Sequence, residues 1–154
     1  MSEQELLAPK IKSISASSTY FSGLNAAPKC VDGRTDTFYC SAAHPELPVV
    51  LNIAFSEHFH IHRIGFVWKY DGASSYEVLA SATGNEWTAI VKRSNLGRRV
   101  DEEVEISERG RQVPVQLLRV VLAQKNHAKY IGLQEIRIQA PALIPIRGSF
   151  PVPT

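Results

Sequence analysis

Apolar and polar residues alternate along much of this chain. Val49, Leu51, Ile53 and Phe55 share one face of an extended segment, and Ile64, Phe66 and Trp68 share one face of the next. Both rows are expected to face a core. Long stretches with apolar residues at helical spacing are missing, whereas β-rich segments recur between clusters of Gly, Asn, Asp and Ser. The pattern predicts strands over residues 10–16, 48–55, 61–69, 75–82, 86–92, 100–107, 114–122 and 134–139. Eight antiparallel strands suit an all-β sandwich or jelly roll. Asp71-Gly72 and Gly84-Asn85 are turn dipeptides, and the second sits between two alternating segments as the turn of a hairpin does.

The segment 141–154 breaks the pattern. Pro141, Pro145, Pro151 and Pro153 exclude both a regular helix and a central strand, so it reads as an extended tail or linker. Residues 1–9 read as an N-terminal arm, which leaves one domain over 10–140. The 154 residues are 44% hydrophobic, enough for a core and too many for a disordered chain. Seventeen basic residues against 15 acidic ones give a formal charge of +2, too small to point to nucleic acid. No uncharged apolar run is long enough to span a membrane, and Glu3 and Glu5 stand where a signal peptide is basic. The expectation is a cytoplasmic protein without membrane insertion. Cys30 and Cys40 are too few for a disulfide framework and read as free thiols, with one bridge open to them. Their spacing matches no zinc-finger ligand pattern.

Candidate chemistry is sparse. His58, His60 and His62 alternate, which puts all three on one face if the strand extends that far and would suit zinc. No general base or ordering partner accompanies them, so they read as a solvated face at a strand entrance, with His58 in the loop after Phe55. Arg98 and Arg99, followed by Asp101, Glu102 and Glu103, read as a charged edge that discourages strand pairing with other chains. Arg109 and Arg111 read as turn charges. No phosphate loop, nucleophilic triad or carboxylate pair stands out, so the chain is expected to catalyse nothing. The stronger candidates lie on loops, where binding residues gather around a rigid sandwich. Tyr20 and Phe21 fall in the first long loop, His44 and Leu47 in the second, Tyr70 and Asp71 in the third. Arg98 and Arg99 occupy the fourth, and Asn126, His127 and Tyr130 a late one. Aromatic faces with Arg, Asn and His donors suit a sugar, and Tyr and Arg equally anchor protein interfaces.

The run from Leu24 to Ser41 contains Asp32-Gly33, Thr37 and then Phe38, Tyr39 and Ser41. It resembles the entry motif of the discoidin, or coagulation-factor type C, family of galactose-binding-like jelly rolls. Leu51 to Phe55, His62 to Phe66, Tyr76 to Ser81 with Glu86-Trp87, Leu117 to Val120 and Leu133 to Ile138 resemble the family's later strands in order. The resemblance covers about residues 10 to 140. It departs in three ways: Phe38 or Tyr39 replaces the usual Trp, Arg34 replaces the second acid after Asp-Gly, and the cysteine pair of secreted members is missing. The resemblance implies loops converging at one end of the sandwich. It also implies one structural calcium ion, held by the Asp32 carboxylate, the Thr37 hydroxyl and carbonyl, the Lys29 carbonyl and the Glu135 carboxylate. The competing expectation is that Asp32 caps a turn and Arg34 pairs with Glu135 in the ion's place. The functional expectation is a non-catalytic docking domain for an intracellular protein partner. The alternative is a lectin for galactose-type sugars, and a hydrolase built on the histidine row is the outlier.

Overall fold

The computed structural model describes residues 4–20 and 24–141, so Phe21 and the segment 142–154 lie outside the described residues. Two antiparallel sheets pack face to face. One is ordered β2 (Ile11–Ala16), β4 (Val49–Phe59), β9 (Val115–Lys125), β6 (Ala73–Ser81) and β7 (Thr88–Arg93). The other runs β1 (Gln4–Leu6), β10 (Gly132–Pro141), β5 (Arg63–Lys69) and β8 (Asp101–Glu105), with β3 (Tyr39–Cys40) also paired to β10. The expected all-β sandwich is therefore present.

All eight predicted strands occur, and two short ones join them. Gln4–Leu6, placed in the arm by its sequence, pairs with Gln139 to Pro141 at the end of β10. Tyr39 and Cys40 pair with Leu133 and Gly132. The expectation for His58 is corrected: β4 continues through an irregularity after Ala54 until Phe59 pairs with Val115, which carries His58 on the strand. Its Nε2 lies 2.8 Å from the Ala82 carbonyl oxygen.

The alternating rows do face the core. Val49, Leu51, Ile53 and Phe55 are at most 1% exposed, and Ile64, Phe66 and Trp68 at most 2%. Each such side chain contributes about 1.5–3 kcal/mol relative to its exposed state. Phe66, Trp68 and Tyr76 stack and cross in the centre, with centroids 5.0–5.7 Å apart. Next to them the reading of Arg99 and Glu102 as edge charges is corrected. β8 is an edge strand, but its period-two geometry turns Glu102 inward. Trp68 Nε1 and Tyr76 OH donate to its carboxylate at 2.8 and 3.0 Å, as does Arg99 Nε at 2.8 Å, and Arg93 completes the cluster.

The strand directions decide which loops meet. Residues 17–20, 24–38, 41–48, 70–72, 94–100 and 126–131 emerge at one end of the sandwich, and 60–62, 82–87 and 106–114 at the other. The histidine row is thus at the far end from the aromatic loops. Among the described residues no group of three or more His, Cys, Asp or Glu side chains is placed to hold a metal ion, so the row forms no zinc centre.

Candidate functional site

At the loop-bearing end four aromatic rings form one continuous strip. Tyr20 stacks on Tyr130 with centroids 5.5 Å apart, Tyr130 meets Tyr70 at 5.1 Å, and Tyr70 meets Phe38 edge-on at 6.1 Å. Tyr20 and Tyr70 remain 44% and 39% exposed, so the strip faces outward. Four separate stretches of chain supply it, and backbone bonds hold them in register. Tyr20 N–H donates to the Cys40 carbonyl at 2.9 Å, and His44 N–H to the Lys129 carbonyl at 2.7 Å. Ser41 N–H donates to the Ile131 carbonyl while Ile131 N–H donates to the Ser41 hydroxyl, both at 2.9 Å.

The turn that presents Tyr70 is left-handed at three consecutive residues, Tyr70, Asp71 and Gly72, with φ of 56°, 70° and 78°. A tyrosine pays for such a conformation with strain, and its persistence requires surrounding contacts that over-determine it. Two are visible. Asn126 Nδ2 donates to the Asp71 and Gly72 carbonyls at 2.9 and 3.2 Å, and lies 3.4 Å from the Gly97 carbonyl, tying three loops together. Gly132 lets β10 pass directly beneath, since a Cβ there would come within 2.8 Å of Lys69 and 2.9 Å of the Tyr70 ring. His44 and Asn95, the other non-glycine residues with positive φ among the described ones, belong to this same end. Burial, with the nearby Cys40 and Tyr130, pushes the Tyr70 hydroxyl above the ordinary phenol range, so it stays a neutral donor and acceptor.

The remaining predicted binding residues are placed as follows. Arg98 Nε lies 2.9 Å from the Asp71 carboxylate at the rim, with its side chain otherwise exposed. Arg99 packs its guanidinium over Trp68 at 5.0 Å, beneath a groove of about 410 Å³ lined by Lys69, Tyr70, Arg98 and Gln134. His44 is exposed on the loop tied to Lys129, and His127 is exposed beside Asn126. Three residues of the strip were missed by the loop reading: Phe38, which was noted only at the family's Trp position, and the two lysines over its rings. Lys69 Nζ lies 5.4 Å from the Phe38 centroid and Lys129 Nζ 5.9 Å from that of Tyr130. Their signal is a repeated dipeptide, Lys69-Tyr70 and Lys129-Tyr130, each leaving a strand or loop at the same end.

Of the residues of the implied calcium site, Lys29 lies in the 3-10 turn Ala27–Cys30, Asp32 and Thr37 in the loop after it, and Glu135 on β10. The Thr37 hydroxyl donates to Asp32 Oδ2 at 2.7 Å and lies 3.4 Å from the Lys29 carbonyl oxygen. Carboxylate, hydroxyl and carbonyl oxygens are the donors calcium takes, so these three fit the ion. Arg34 does not pair with Glu135. Its guanidinium grips Asp36 at 2.9 and 2.7 Å at an exposed position, where the hydrogen bond to Asp36 raises the pKa of Arg34 and the same bond lowers that of Asp36. Glu135 instead lies 3.5 Å from Arg137.

Comparison with known families settles the relationship. The family model for the F5/8 type C domain matches residues 13–136. The chain belongs to this family. An F5/8 type C domain is a binding module. Solved structures share the fold. Chitosan-binding module 1 from a chitosanase/glucanase of Paenibacillus sp. IK-5 has a TM-score of 0.71 at 22% identity, over 87% of this chain and 98% of that one. The family 32 carbohydrate-binding module of Clostridium perfringens NanJ, solved with galactose, has a TM-score of 0.75 at 14% identity, over 89% and 99%. CpGH89CBM32-5 from Clostridium perfringens, in complex with GalNAc-β-1,3-galactose, has a TM-score of 0.73 at 15% identity, over 87% and 99%. No curated protein matches the sequence.

Proposed function

We propose that this F5/8 type C domain is a carbohydrate-binding module, and that the strip Tyr20, Tyr130, Tyr70 and Phe38 is its sugar-binding face. The observation that carries the reading is the strip itself. A pyranose presents C–H groups to an aromatic face and hydroxyls at its edge, and an exposed run of rings bordered by His44, Arg98, Asn126 and His127 offers partners for both. The printed descriptions of structurally similar modules, which name chitosan and galactose, support the same class of ligand. The expected docking to a protein partner has no such support, since the ligands named for the similar modules are sugars.

The test is calorimetric titration with a panel of mono- and oligosaccharides. Tyr130→Ala is expected to weaken the best ligand about tenfold or more, which is about 1.4 kcal/mol. Tyr20→Ala removes a ring that is already 44% exposed, so it should weaken binding while leaving the melting temperature unchanged. Binding that survives both substitutions, or a panel with no ligand in it, would overturn the proposal.

We also propose that the Asp32 loop holds a structural calcium ion through the Asp32 carboxylate, the Thr37 oxygens and the Lys29 carbonyl, with Glu135 joining only by releasing Arg137. Calcium would there fasten the loop that leads into β3, and so Tyr39 and Phe38, to the sandwich.

A further inference from the structure

We infer that the sugar held by the aromatic strip is acidic, a pyranose bearing a carboxylate or sulfate next to the ring that stacks; this rests on the carbohydrate reading above. Two ammonium groups sit over the strip, Lys69 beside Phe38 and Lys129 beside Tyr130. Among the described residues neither has a carboxylate partner within ion-pair distance. The acids of this end are already engaged or stand apart. Asp71 holds Arg98, Glu102 lies in the core with Arg93 and Arg99, Asp101 and Glu135 face Arg137, and Asp36 holds Arg34. Asp32 accepts the Thr37 hydroxyl and the Arg34 backbone N–H, and Glu46, on the 41–48 loop that His44 ties to the Lys129 carbonyl, is within ion-pair distance of neither lysine. Lys125 adds a third cation close by, its ammonium donating to the Ala128 carbonyl at 2.9 Å.

The consequence follows from charge and distance. An anionic substituent on a sugar held at the strip gains a charge-assisted hydrogen bond from these ammonium groups that a neutral one lacks. A glucosamine polymer brings its own ammonium groups to the same place and is repelled. The chain is therefore expected to differ from the chitosan-binding modules that share its fold.

The experiment titrates the full chain with trigalacturonate, its neutral methyl ester, galactose, galactose 6-sulfate and chitotriose. At low salt an acidic ligand should bind about tenfold tighter than its neutral counterpart, and the margin should largely collapse at about 0.5 M salt, where screening acts over a few ångströms. The pair with the larger margin, trigalacturonate over its ester or galactose 6-sulfate over galactose, identifies carboxylate or sulfate as the group recognised. Lys69→Gln with Lys129→Gln should erase the margin between acidic and neutral ligands. Lys129→Gln alone, at an exposed position, should reduce it with an unchanged melting temperature. Equal affinity for charged and neutral ligands, chitotriose as the tightest ligand, or a margin that survives loss of both lysines overturns the inference while the carbohydrate reading stands. Binding of none of the five overturns both.

Discussion

Glu102 brings a carboxylate into contact with two aromatic donors and two guanidinium groups, with only 4% of its side chain exposed. A buried charge is stable only when its partners replace water, and removing one partner strands the rest. Glu102→Ala would leave Trp68 Nε1, Tyr76 OH and two arginines without their acceptor. The expected loss is about 3–5 kcal/mol, read as a lower urea midpoint with an unchanged slope. Glu102→Gln keeps the shape and an acceptor oxygen and should fall between this variant and the parent. In the sequence Glu102 was indistinguishable from Asp101 and Glu103. Alternation says that neighbours in that run face opposite ways, but only the register against β5, where Glu102 pairs with Phe66, says which one faces in.

At the scale of elements, the strands with a clear apolar row were legible from alternation alone, because burial on one face and solvent on the other impose that pattern locally. β1 and β3, of three and two residues, were not legible. Neither carries a row of its own, and both exist because β10 offers them a partner. The turn Ala27–Cys30 is a similar case, since its own sequence says little about the burial that fixes it. Cys30 there is fully buried, and burial, more than the opposing backbone hydrogen bond or the added charge of Asp32, pushes its thiol up to about 12 from an ordinary 9.0. The folded state thus keeps a proton that the unfolded chain releases. That stability is present below pH 9 and is lost as pH rises toward 12, by about 1.4 kcal/mol per unit at most. Tyr39 and Tyr76, whose hydroxyls are also pushed up by burial, act in the same sense at higher pH. Melting temperatures should fall steadily above pH 9, and Cys30→Ala, though less stable at neutral pH, should show a flatter fall across the thiol's range.

For the whole molecule, the decisive property is that five connections share one end, so residues far apart in sequence become a single surface. The loop reading named Tyr20, Tyr70 and Tyr130 as separate candidates, and the family resemblance implied their convergence. Neither gave the stacking order or the lysines above it, because the ring contacts depend on loop conformations such as the left-handed turn at Tyr70. The Asp32 loop connects this surface to the rest of the fold, which makes calcium a test of the assembly. An ion that binds only the folded chain raises stability by about 2.7 kcal/mol at a hundredfold excess over its Kd, a rise of several degrees in melting temperature at this size. Calcium should produce that rise against chelator, magnesium should not, and Asp32→Ala should abolish it. Glu135→Ala divides two arrangements. A diminished shift means that Glu135 leaves Arg137 to reach the ion, whereas an undiminished one means that the loop oxygens hold calcium by themselves. No shift in the parent chain would overturn the calcium site and leave the Asp32 to Thr37 hydrogen bond as what closes the loop.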